Sequence, residues 1–121
     1  MVKVYILFSH KLTKNQIEEL RERFNCEEFV YLPESLQKMW SEVGDEDNRK
    51  IFYNYLKENC QMGDLVLVQG EWGLTHSVVN YCKRKKYIPI YATTQRNAVE
   101  RKEGEKVYKT SVFEHVKFKK Y

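Results

Sequence analysis

Residues 65–68, Leu-Val-Leu-Val, offer no polar side chain to water, and Gln69-Gly70-Glu71-Trp72-Gly73 follows them directly. A strand that is apolar on both faces belongs inside a parallel sheet covered by helices on both sides. Beyond the glycine-bracketed turn, Leu74, Val78, Val79 and Tyr81 or Cys82 recur at helical spacing, which predicts a helix over 75–86. Strand, tight turn and helix make a unit whose N–H groups at the helix start favour anions, at the sheet edge where open α/β folds bind ligands. The turn matches neither the dinucleotide fingerprint nor the Walker loop. Gly70 and Gly73 equally suit a turn that only turns.

At 121 residues the chain is expected to form a single domain, 1–121, with a real core. No segment approaches the about 18 apolar residues of a membrane span, and the apolar stretch of MVKVYILFSH reads as a first strand rather than a signal peptide, so a cytoplasmic protein is expected. Cys26, Cys60 and Cys82 are too scattered for a disulfide framework or a zinc site. Neither a metal nor a cofactor is expected. Charge is unevenly placed: residues 1–82 carry 9 Lys and Arg against 13 Asp and Glu, residues 83–121 carry 12 against 4. A basic last third suits a polyanionic partner as well as a solvated surface.

In chain order, Val2–Phe8 reads as the first strand, followed by Ser9-His10-Lys11 on a loop. Thr13 caps the next helix with Gln16 as its capping-box partner, and Ile17, Leu20 and Phe24 form the apolar stripe. Glu28–Leu32 is a second strand stopped by Pro33. Leu36, Met39 and Trp40 imply a short helix, 41–47 a loop, and Ile51, Tyr55 and Leu56 a helix reaching about Cys60. After the central unit, Ile88–Ala92 is predicted as a strand ending in Thr93-Thr94-Gln95-Arg96, and 100–106 as a surface turn containing Gly104. Val107–Lys119 supplies one or two closing strands, with Val112, Val116 and Phe118 on one face and Phe113, His115, Lys117 and Lys119 on the other. If the first, central and fourth strands are parallel neighbours, residues 9–11, 69–75 and 93–96 share one polar crevice.

Five blocks in order, LFSHKLT at 7–13, YLPESLQKMW at 31–40, GDLVLVQGEWG at 63–73, YIPIYATTQRNAVE at 87–100 and VFEHVKFKKY at 112–121, resemble a small CRISPR-associated family found beside type III systems, the Csx family numbered twenty. The resemblance implies a stand-alone Rossmann-like, three-layer domain related to the CARF sensors, with a mainly parallel sheet. It also implies a homodimer, a cyclic oligoadenylate ligand (a tetra-adenylate ring above all), and a ring nuclease that switches off antiviral signalling. A twofold dimer would offer one crevice to each half of the ring. Cleavage by the ligand's own 2′-hydroxyl needs no metal, only in-line geometry, a proton donor or acceptor and positive charge.

On that footing His10 is the candidate general acid or base, since imidazole titrates near ~6.5. Lys11 and Arg96 would hold phosphate, Ser9, Thr93 and Thr94 would donate hydroxyl hydrogen bonds to it, and Thr75 would belong to the same binding set. Gln69 would read an adenine edge, Gly70 and Gly73 would let the ligand approach, Trp72 would stack on a base, and His115 with Lys117 would line the rim. Each has a plain structural alternative: capping, core packing or solvated charge. A non-cleaving sensor shares every contact. Binding to long nucleic acid is not expected, because the basic residues are not interleaved with aromatics in an RNA-binding pattern.

Overall fold

The computed structural model describes residues 2–121. Its elements run β1 (Val2–Leu7), α1 (Lys14–Phe24), β2 (Cys26–Tyr31), α2 (Glu34–Ser41), α3 (Arg49–Asn59), β3 (Leu65–Val68), α4 (Trp72–Lys85), β4 (Ile88–Glu103) and β5 (Lys106–Lys120). The strands form one sheet in the order β2-β1-β3-β4-β5. The first four are parallel and β5 is antiparallel to β4.

The apolar run at 65–68 takes the middle of this sheet. Val66 and Val68 point into a cluster with Trp40, Phe52, Leu56, Leu74 and Val78 from α2, α3 and α4. Leu65 and Leu67 point the other way, to Leu20 of α1, Ile90 and Phe118. Helices therefore cover both faces, as a strand with no polar position demands. Thr13 and Gln16 make the expected capping box on α1. All three cysteines are buried and free. Burial pushes the Cys82 thiol up to about 12 and raises those of Cys60 and Cys26, so they behave as small apolar groups. Among the described residues no helix is long and apolar enough to cross a membrane.

Two expectations need correction. β4 does not end at Ala92 but continues to Glu103, and one strand, β5, returns along it. Gly104, with φ of 62°, opens the two-residue turn between them, where a residue with a Cβ would be strained. The faces of β5 also differ from simple alternation. The register shifts between Thr93 and Thr94, leaving Val116 unpaired, so His115 lies on the α1 side with Phe118, their rings 4.7 Å apart. Such a bulge restarts the alternation one residue later.

Phe118 is fully buried and ties β5 to the α1 side of the core. Phe118→Ala should cost about 3–5 kcal/mol in urea unfolding. A change below 1 kcal/mol would mean β5 is not held there.

Candidate functional site

Parallel pairing brings three strand ends to one edge. β1 and β3 are neighbours, with Leu7 opposite Val68, and the Gln69 N–H donates to the Leu7 carbonyl at 3.0 Å. The Ser9-His10-Lys11 loop and the Gln69–Trp72 turn are thus adjacent. Ser9, His10 and Lys11 are all exposed. The His10 ring meets the edge of Phe8 at 5.2 Å, and Ser9 shares a 3.3 Å hydroxyl contact with Ser41. Gln37 donates to the Phe8 carbonyl at 2.8 Å, so α2 fixes the loop's base.

Much of the turn's polar chemistry is used internally. The Gln69 side-chain oxygen accepts from the Ala92 N–H at 2.8 Å and its amide donates to the Ala92 carbonyl at 3.4 Å. That amide extends the β3–β4 ladder by one rung and does not face a ligand. The Trp40 indole N–H donates to the Gln69 carbonyl at 2.9 Å, and a Cβ on Gly70 would lie 2.8 Å from that nitrogen. Gly70 is glycine because an indole occupies the side-chain position.

α4 starts at Trp72, earlier than helical spacing suggested, and Glu71 is its N-cap. The Glu71 carboxylate accepts from the Gly73 N–H at 2.9 Å and the Leu74 N–H at 2.8 Å. Those hydrogen bonds, Leu74 first and then Gly73, hold its carboxyl below the usual range. The chain has placed its own anion where a phosphate was expected. An acidic residue just before a helix is a recognisable N-terminal signal, and here it lay hidden between the two glycines. A cleft of about 520 Å³ beside this N-terminus is rimmed by Asp45, Glu46, Asp47 and Glu71, with Arg49 engaged by Asp47. Polyanions are repelled from that side.

Trp72 is 90% exposed, so it is not a core tryptophan. It borders a recess of about 230 Å³ with Thr75, His76, Val79 and Tyr121. The Thr75 hydroxyl oxygen is covered and has no hydrogen-bond partner among the described residues. Tyr121 closes the recess, its hydroxyl donating to the Val68 carbonyl and its ring 4.7 Å from Tyr91.

The other expected residues separate. The Thr93 hydroxyl donates to the Lys117 carbonyl at 2.7 Å and accepts from its N–H at 3.2 Å, spanning the bulge. Thr94 and Lys117 are exposed. Arg96 stands out on the β4–β5 ribbon, its Nε donating to the Ser111 hydroxyl at 3.0 Å and away from the crevice. The His115 side chain is buried, with Nε2 2.6 Å from Glu19 Oε1 and Nδ1 3.5 Å from the Gln16 amide. Glu19 also accepts from the Phe118 N–H at 2.8 Å and pairs with Arg23. His115 therefore binds α1 to β5 and leaves the rim. Of the expected residues, Ser9, His10, Lys11, Trp72 and Thr94 stay exposed at these strand ends, while the Thr75 hydroxyl is covered.

The profile of a family described as "Uncharacterized protein MJ1673 family" matches residues 2–119. A relative from Methanocaldococcus jannaschii, "Uncharacterized protein MJ1673", is 40% identical over 126 aligned positions, covering 100% of this chain and 98% of the relative. No solved structure matches.

Two outcomes follow from this geometry. Gly70→Ala should lower stability by about 1–3 kcal/mol and shift the emission of the buried Trp40, as overpacking requires; unchanged emission would mean the contact is loose. For Glu71→Gln, the stability gap to the wild type should be full at neutral pH. Because the folded carboxyl titrates lower than the unfolded one, the gap should close as pH falls below the ordinary glutamate range. A pH-independent gap would show that the carboxylate's charge is not what caps α4.

Proposed function

We propose that this chain, which belongs to the MJ1673 family, is a cytoplasmic, homodimeric ring nuclease of Rossmann-like, CARF-related fold. It binds a cyclic oligoadenylate, above all the tetra-adenylate ring, at the C-terminal rim of its parallel sheet. The observation that carries the reading is that His10 and Lys11, on the loop after β1, and Trp72, at the start of α4 after β3, are all exposed beyond the C-terminal ends of neighbouring parallel strands. A nucleobase stacks on an exposed indole for about 1–3 kcal/mol. The recess of about 230 Å³ behind Trp72, lined also by His76, Val79 and Tyr121, adjoins that indole.

Lys11 supplies positive charge for phosphate without help from the α4 N-terminus, which Glu71 already occupies. His10 serves as acid or base. The ribose 2′-hydroxyl loses its proton and attacks the neighbouring phosphorus, the bond from phosphorus to the 5′-oxygen breaks, and that oxygen takes a proton. The product is a linear strand ending in a 2′,3′-cyclic phosphate, which would end type III CRISPR signalling. Since the nucleophile belongs to the ligand, this reading calls for full activity in EDTA.

One observation favours a second reading, a sensor or sequestering module that binds the ring without cutting it. Among the described residues no polar side chain orients the His10 ring, whereas catalytic bases are usually held by a third group.

Incubation with cyclic tetra-adenylate in EDTA should give the linear cyclic-phosphate product on chromatography. His10→Ala should lower the rate about 10²- to 10⁴-fold. Trp72→Ala should weaken binding about tenfold to a hundredfold. Tight calorimetric binding of an uncut ring would favour the sensor. No binding at all would end both readings.

A further inference from the structure

β3 pairs with β4 only as far as Ile90, and beyond Thr93 the one strand beside β4 is β5. Because β4 is parallel to β3, this two-stranded ribbon leaves the sheet at the same edge as the rim. Val99, Val107, Tyr108, Val112, Phe113 and Val116 lie on it, each between 43% and 68% exposed. A lone hairpin is marginally stable in water, and an uncovered long edge invites another strand.

We propose that a second copy of this chain covers it, with β5 against β5 antiparallel about a twofold axis through Thr110. Opposed residues of an antiparallel pair direct their N–H and C=O groups the same way, so the axis of an isologous pairing passes through a residue and not between two. The exposed edge reads Lys106-Val107-Tyr108-Lys109-Thr110-Ser111-Val112-Phe113-Glu114. About Thr110 it is its own chemical complement. Tyr108 meets the partner subunit's Val112, Val107 meets the partner's Phe113, and Lys106 meets the partner's Glu114, each pair occurring twice. An axis through Ser111 sets Lys109 against the partner's Phe113, and one through Lys109 sets Lys106 against the partner's Val112.

The pairing also carries the tip at Gly104 level with the partner's Val116.

In this assembly Thr110 is level with Val99, seven residues past Ala92, so the two rims face each other about 45 Å apart. Each rim then holds its ligand alone. The pairing rests on the homodimer of the proposed function and gives its geometry; a monomer would remove that dimer, while what the rim binds is decided separately by the assay with cyclic tetra-adenylate.

Sedimentation of the full chain without ligand should show a dimer. Thr110→Cys should form a disulfide-linked dimer under mild oxidation, the native cysteines being buried. Lys109→Cys and Ser111→Cys, which do not face themselves, should link far less. Glu114→Lys should weaken the dimer about tenfold, and the exchange Lys106→Glu with Glu114→Lys should restore it. A monomeric wild type, equal linking at all three positions, or no rescue by the exchange would overturn the proposal.

Discussion

The structure depends on the burial of four side chains in one short strand. Leu65, Val66, Leu67 and Val68 are at most 2% exposed, and they alternate between two separate clusters. Each contributes about 1.5–3 kcal/mol of transfer free energy, but only if helices lie on both faces. That condition fixes α1 on one side and α2, α3 and α4 on the other. It also requires hydrogen-bonded neighbours on both edges of β3, which β1 and β4 provide. Those neighbours are what bring the loops after β1 and β3 together.

At the rim, holding the fold and meeting a ligand compete for the same atoms. Gln69, Thr93 and Glu71 each present a polar group at a strand or helix end, where binding groups are expected. Each uses it on backbone that would otherwise lack a partner: the Ala92 peptide, the strand across the bulge, and the first N–H groups of α4. Buried or semi-buried backbone groups left unpaired are expensive, so these side chains are committed first. What remains is a small exposed set, His10, Lys11, Thr94 and Trp72, whose side chains make no hydrogen bond or ion pair among the described residues.

The ribbon reverses this economy. Inside the sheet every strand finds neighbours within the same chain, whereas among the described residues β4 and β5 beyond Thr93 have only each other. His115 and Phe118 anchor its root through Glu19 and the α1-side core. Past that root the apolar residues have no cover within the subunit. The same physics that fixes the core therefore directs the ribbon outward, toward another molecule.

Local pattern in the sequence was enough for the elements whose cause is local: the apolar run of β3, the Thr13–Gln16 capping box, and the helical periodicities of α1 and α4. It was also enough for the strand-end position of His10 and Trp72, since that follows from element order in an α/β chain. It could not show that Glu71 caps α4 or that Gln69 reaches Ala92, because those bonds join groups whose separation is set by packing. Nor could it show the length of β4, where residues 93–103 are mostly polar and carry no alternation; the pairing with β5 alone makes that segment a strand. His115 is the clearest case. Alternation placed it with Lys117, and a single unpaired residue at Val116 turned it to the opposite face, because side-chain direction in a strand is counted along the ladder and the ladder exists only in the folded chain.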